Sequence, residues 1–204
     1  MYGDDIQVDV INDNTLQRPQ LFYGITKVFG ELTGAFYKRK YGLDFRELRY
    51  PSIVGPGVKT PGVVQYTFWV IEECAKGNPF TITVGPDTRF PVLYYKDAAR
   101  ATLQVCAPPA ERIKTANYIL NGVTPVASAG ELAELVRAKI PGAQIEFKPD
   151  RQLQVMLDKI LHPIDDANAR KEWDWQPEYD QERIADDFLA ILQHNTESRN
   201  NLNA

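Results

Sequence analysis

A tyrosine and a lysine four residues apart, in Leu21-Phe22-Tyr23-Gly24-Ile25-Thr26-Lys27, open the first long helical pattern of the sequence. On a helix, positions i and i+4 lie one above the other, so the Tyr23 phenol and the Lys27 ammonium share a face. A phenol, with an ordinary pKa of about 10, is a poor base at neutral pH, and an ammonium beside it favours the phenolate. Such a dyad can accept a proton from a substrate hydroxyl and return it. Tyr and Lys at this spacing also occur on many helices that do no chemistry, so the pair has to be weighed with the rest of the chain.

The elements that would position the dyad follow from periodicity. Residues 4–19 are polar and read as a loop that delivers the chain to Tyr23. From Phe22 to Tyr41 the spacing predicts a helix, with Val28, Leu32, Ala35 and Phe36 on its inner face, Lys38-Arg39-Lys40 at its C-terminal dipole and Gly42 as its stop. Asp44 to Tyr50 alternates as a strand does, and Pro51 ends it. Ser52 to Gly62 is a Gly- and Pro-rich loop just past a strand end, where open α/β sheets bind ligands. A mostly apolar helix is expected from Val63 to Lys76, then strands over Phe80–Val84 and Phe90–Tyr95 and a helix from Lys96 to Cys106. Asn117–Asn121 reads as a strand, and Ser128-Ala129-Gly130-Glu131 has the spacing of a capping box ahead of Leu132, Leu135, Val136 and Ile140. A strand over Gln144–Lys148 follows. Asp150 to Leu161 is ambiguous, Asp165 to Trp175 reads as a short capped helix with a Trp anchor, and a final helix is expected from Asp180 to Leu192. The polar tail after His194 is expected to fray.

Composition narrows the class. The 204 residues are 44% hydrophobic and 25% charged, as in ordinary globular domains. A net charge of −4 gives no basic footprint for nucleic acid. The apolar runs are too short for a membrane span and the first residues do not form a signal peptide, so the expected location is the cytoplasm. Cys74 and Cys106 lack metal-ligand spacing and read as buried free thiols; His162 and His194 are isolated, so no metal site is expected.

Taken together, the dyad, the helix stop and strand Gly42-Leu-Asp-Phe-Arg-Glu-Leu-Arg49-Tyr50-Pro51, the block from Pro86 through Arg89 to Ala98, Lys148-Pro149-Asp150, and Asp165-Asp166 through Trp173-Asp174-Trp175 to Asp180 resemble the extended short-chain dehydrogenase/reductase superfamily, which includes nucleotide-sugar epimerases and dehydratases. They look most like the short-chain L-threonine 3-dehydrogenases and their epimerase/dehydratase relatives, over essentially residues 1–194. The resemblance implies an α/β fold: the C-terminal part of a Rossmann-type parallel sheet with a small α+β substrate-binding cap. It implies Tyr23 as general base, Lys27 as its partner and as a ligand of the nicotinamide ribose, and Tyr50, Pro51, Ser52 and Ile53 as the segment along the nicotinamide of NAD, with NADP left open. Thr60, Tyr66 and Arg89 are the expected substrate contacts, since a guanidinium can hold a carboxylate or phosphate bidentately. Tyr50-Pro51 can also be a plain strand end, and Arg89 a solvated turn residue.

Two departures qualify that picture. The superfamily's Gly-x-x-Gly-x-x-Gly turn, which seats the pyrophosphate at a helix N-terminus, has no match here. Met1-Tyr2-Gly3 resembles the turn just beyond the family's catalytic Ser or Thr, so the nucleotide-binding half, on the order of 100 residues, is expected to be missing. In the substrate loop, Pro61-Gly62-Val63-Val64-Gln65-Tyr66 replaces the Gly-rich, Thr-containing run of the threonine dehydrogenases, which puts threonine itself in question. The expected organisation is residues 1–60 as a remnant of the dinucleotide-binding domain, 61–194 as a substrate region interleaved with the last strands, and 195–204 as a tail. The expected function is oxidation of a small hydroxy substrate by a homo-oligomer, with the chain inactive alone. The alternatives are a nucleotide-sugar epimerase or dehydratase, and a non-catalytic fragment that associates through an open sheet edge.

Overall fold

The computed structural model describes residues 2–3, 5–58 and 66–202. The chain divides into two compact units, each assembled from three stretches of sequence. One comprises Met1–Pro51, Lys96–Asn121 and Met156–Gln176, and the other Ser52–Tyr95, Gly122–Val155 and Pro177–Ala204.

The first unit is built around helix α1 (Phe22–Tyr41) and the parallel pair β1 (Glu47–Arg49) and β5 (Asn117–Ile119). α1 ends as its sequence requires: Gly42 takes the left-handed conformation at φ 70° and its N–H donates to the Lys38 carbonyl at 3.1 Å. Helices α3 (Tyr95–Cys106, from Lys96 on) and α6 (Ala167–Trp173) and the C-terminal half of α5 (Arg151–Ile160) complete it. Tyr118, Leu120, Leu157, Trp173 and Trp175 fill the interior, with the two indoles 5.5 Å apart. Glu172 is buried but well satisfied, accepting from the Lys114 and Thr115 main chain and from the Tyr118 hydroxyl.

The second unit contains two further parallel pairs, β2 (Ser52–Val54) with β4 (Val92–Tyr94) and β3 (Phe80–Ile82) with β6 (Ile145–Phe147). Helix α2 (Tyr66–Ala75) packs against α4 (Ala129–Lys139) and α7 (Gln181–Leu202). Val70, Ile82, Leu93, Ala133, Ile184 and Phe188 form its core. The capping box of α4 is complete: the Glu131 N–H donates to Ser128 Oγ, and the Ser128 N–H donates to the Glu131 carboxylate. Gly122 lies against β4 so closely that a Cβ there would stand 2.0 Å from the Val92 carbonyl oxygen. Every strand pair among the described residues is parallel, and the chain is an α/β protein, as the resemblance implies.

Several expectations need correction. Leu32 and Phe36, expected on the inner face of α1, are 64% and 45% exposed, and the buried residues of the helix are Gly24, Glu31 and Gly34. The inner face is made of small residues and a paired acid, with the Phe45 ring occupying the space a Gly34 side chain would need. Ser52–Val54, read as loop, is a strand, because the β-branched Ile53 and Val54 find a partner forty residues away in β4. The ambiguous stretch after Asp150 is helix α5, and the tail expected to fray continues α7 to Leu202. Cys74 is buried as expected, whereas Cys106 is exposed.

Candidate active site

The dyad stands on the first two turns of α1. Leu21 enters in an extended conformation with no side-chain cap, and the first turn closes with the Ile25 N–H on the Leu21 carbonyl and the Thr26 hydroxyl on the Tyr23 carbonyl. Tyr23 is 70% exposed, and the Lys27 ammonium lies 5.2 Å from the centroid of its ring. Phenol and ammonium therefore share one solvent-facing side of the helix, as the spacing predicts.

One turn further along the same row, Glu31 turns inward and is 1% exposed. Its carboxylate accepts from Arg49 Nε at 2.8 Å and Arg49 Nη2 at 2.6 Å, a bidentate pair, and from Asn117 Nδ2 at 2.9 Å. Arg49, 7% exposed, also donates to the Tyr2 hydroxyl and the Asp13 carbonyl. α1 is thereby pinned to β1 and β5 by charge-assisted hydrogen bonds one turn along from Lys27. Glu31 and Asn117 were not among the expected site residues. The signal for Glu31 lies in the sequence, as the third member of the i, i+4, i+8 row Tyr23, Lys27, Glu31; Asn117 needs the strand register to be seen.

Of the expected cofactor segment, Tyr50 and Pro51 belong to the unit that carries the dyad, and Ser52 and Ile53 form the start of β2 in the other. The Tyr50 hydroxyl lies 2.7 Å from the Thr102 hydroxyl and donates to the Ala98 carbonyl at 3.3 Å, so it is directed at α3. Burial raises its pKa, against the opposing hydrogen bond from Thr102. Of the expected substrate contacts, Thr60 lies outside the described residues. Tyr66 opens α2 at 5% exposure, and burial raises its pKa strongly. It borders a cavity of about 30 Å³ with Phe90, Val92 and Leu132.

Arg89 sits on a turn held to the N-terminus of α4 by the Ala129 N–H on the Thr88 carbonyl and the Gly130 N–H on the Pro86 carbonyl. Its guanidinium holds both oxygens of Glu131, at 2.9 and 3.1 Å, and the Val126 carbonyl at 2.6 Å. This fork is the bidentate geometry expected for a carboxylate, here supplied by the chain itself. The hydrogen bond with Arg89 holds the Glu131 carboxyl below its ordinary range. The pair borders an open cleft of about 820 Å³ lined also by Thr124, Pro125 and Gln181.

The comparisons with known proteins agree with this architecture. The model of the NAD dependent epimerase/dehydratase family matches residues 1–119. The chain is 36% identical over 188 residues to the mitochondrial L-threonine 3-dehydrogenase of Bos taurus, covering 92% of this chain and 49% of that protein. The crystal structure of L-threonine dehydrogenase from Phytophthora infestans superposes with a TM-score of 0.83 at 30% identity, covering 94% of this chain and 62% of that one. UDP-glucose 4-epimerase from Thermotoga maritima, at 19% identity and a TM-score of 0.76, shares the fold. The chain spans about half the length of the curated threonine dehydrogenases it matches. With more than half of its residues under the family model and its parallel pairs and dyad helix in place, the chain belongs to the NAD dependent epimerase/dehydratase family.

Proposed function

We propose that this chain carries the Tyr–Lys dyad of an NAD-dependent oxidoreductase of the L-threonine 3-dehydrogenase type, acting on a small hydroxy substrate. The observation that carries this reading is the pairing of an exposed Tyr23 with Lys27 on a helix fixed from beneath by Glu31 and Arg49. The donor set fits the cofactor's nicotinamide ribose and a secondary alcohol, for it offers one phenol and one ammonium on a single open face. When bound, the nicotinamide ring supplies the hydride acceptor. Tyr23 Oη takes the proton of the substrate hydroxyl, and Lys27 contributes positive charge and an N–H donor beside it. The Glu31–Arg49 pair ties the helix that carries both to β1. Tyr50, Pro51, Ser52 and Ile53 are the proposed cofactor segment, and Thr60, Tyr66 and Arg89 the proposed substrate contacts. For the last, the fork now on Glu131 would be transferred to a substrate carboxylate.

The test is formation of reduced nicotinamide from L-threonine by the polypeptide as it occurs in its source, alongside Tyr23→Phe. The variant is expected to lose turnover by at least about a hundredfold, the usual scale of general base catalysis, with circular dichroism and melting temperature unchanged. Undiminished turnover would overturn the assignment. A rise in melting temperature with an amino acid, and none with a nucleotide sugar, separates this reading from that of an epimerase.

A further inference from the structure

Beside the Glu31–Arg49 pair, the Glu47 carboxyl makes no ion pair among the described residues. Glu47 opens β1, and its partner in the parallel register is Asn117 of β5. Their side chains leave the same face of the ribbon, from strands about 4.8 Å apart. That face looks toward α1, because Asn117 Nδ2 donates to Glu31 and Arg49, two residues along from Glu47, holds the same carboxylate. Glu47 Oε2 and Asn117 Oδ1 are both shut off from solvent, and neither has a hydrogen-bond partner. Two orphaned acceptors on facing residues are costly, because each has given up water without gaining a donor. Protonation turns a carboxyl oxygen from acceptor into donor, which is what an amide oxygen on the facing residue lacks.

We propose that Glu47 and Asn117 form a proton-holding pair beneath the dyad helix, in which protonated Glu47 donates from Oε2 to Asn117 Oδ1. The charged groups around Glu47 are Glu31 and Lys27 from α1 and Arg49 from its own strand. Arg49 directs its hydrogen bonds to Glu31, Tyr2 and the Asp13 carbonyl. Burial, and then the negative charge of Glu31, push the Glu47 carboxyl up to about 7, with Arg49 and Lys27 opposing. Loss of the proton places a second negative charge next to Glu31 and within the field of Lys27. The helix that carries Tyr23 and Lys27 thus responds to pH from its buried side. The pair stands on the packing of this unit and does not depend on the oxidation chemistry, so it can fail while the functional reading holds, and the reverse.

The experiment is a carbon-13 NMR titration of the side-chain carboxyls in the unmodified chain, with Glu47 identified by the resonance that Glu47→Gln removes. The expected midpoint is about 7. Because the folded-state value lies above the ordinary 4.5, the stabilisation is complete below pH about 4.5 and is lost as pH rises to about 7. Glu47→Gln mimics the protonated acid and titrates no group, so its melting temperature relative to the parent should rise across that window and stay level above it. Asn117→Ala, which keeps the acid and removes its acceptor, should lower the midpoint. A Glu47 midpoint in the ordinary carboxylate range, or one unmoved by Asn117→Ala, would overturn the proposal.

Discussion

Glu31 of α1 and Arg49 of β1 meet through two hydrogen bonds of 2.6 and 2.8 Å, with both side chains almost wholly withdrawn from solvent. A buried pair of this kind is held by geometry, since the cost of desolvating both ions offsets most of their attraction. Removing one partner leaves the other charged and unpaired. Glu31→Ala is therefore expected to cost roughly 3–5 kcal/mol in denaturant unfolding. The double replacement Glu31→Leu, Arg49→Met, which removes both charges, should cost markedly less. If the single and double variants unfold alike, the pair is not the lock described.

The glycines of the fold separate into tight and open positions. A Cβ at Gly122 would lie 2.0 Å from the Val92 carbonyl oxygen, a backbone atom that cannot turn aside, whereas at Gly30 it would meet nothing within 4 Å. Gly122→Ala is expected to be strongly destabilising, because β4 must move to admit it. Gly30→Ala, in the middle of α1, should stabilise by about 0.5–1 kcal/mol through helix propensity. Thermal unfolding of the two variants side by side checks both signs.

Ser128 and Arg89 both touch Glu131, but they should differ in their effect on stability. Ser128→Ala deletes the N-cap of α4 and should cost about 1 kcal/mol. Arg89 and Glu131 are about half-exposed, so solvent screens their pair, and Arg89→Ala should leave the unliganded stability nearly unchanged. Loss of an amino-acid-induced melting shift in Arg89→Ala, with the unliganded melting temperature nearly unchanged, would mark it as a substrate contact. A retained shift would remove it from the site.

Phe22, Ile25, Phe29, Leu32 and Phe36 are all exposed, and they repeat at alternating intervals of three and four residues along α1. That 3.5-residue seam is the pattern by which helices pair. The chain is expected to self-associate through it, and Phe29→Glu should reduce the mass measured by sedimentation to that of one chain. A parent protein that already sediments as a single chain would exclude this contact.

Much of this protein could be read locally. The span of α1 with its Gly42 stop, the capping box of α4 and the position of the dyad depend on side chains within a few residues of one another, and the structure reproduces them closely. Interior and exterior were harder to tell apart. The apolar seam of α1 outweighs Gly24, Val28, Glu31 and Ala35 in any count of hydrophobic positions, yet the latter row is the one that packs inward. A buried glutamate is tolerated because an arginine eighteen residues away reaches it.

The sequence by itself determined that Tyr23 and Lys27 share one face of a helix, because α-helical geometry and a glycine terminus leave no other arrangement. Only the tertiary structure decided what lies beneath them. The register of β1 against β5 sets Glu47 opposite Asn117, and the packing of α1 on β1 brings Arg49 to Glu31. These contacts depend on closing loops of tens of residues, and no local periodicity encodes which distant strand will supply the partner.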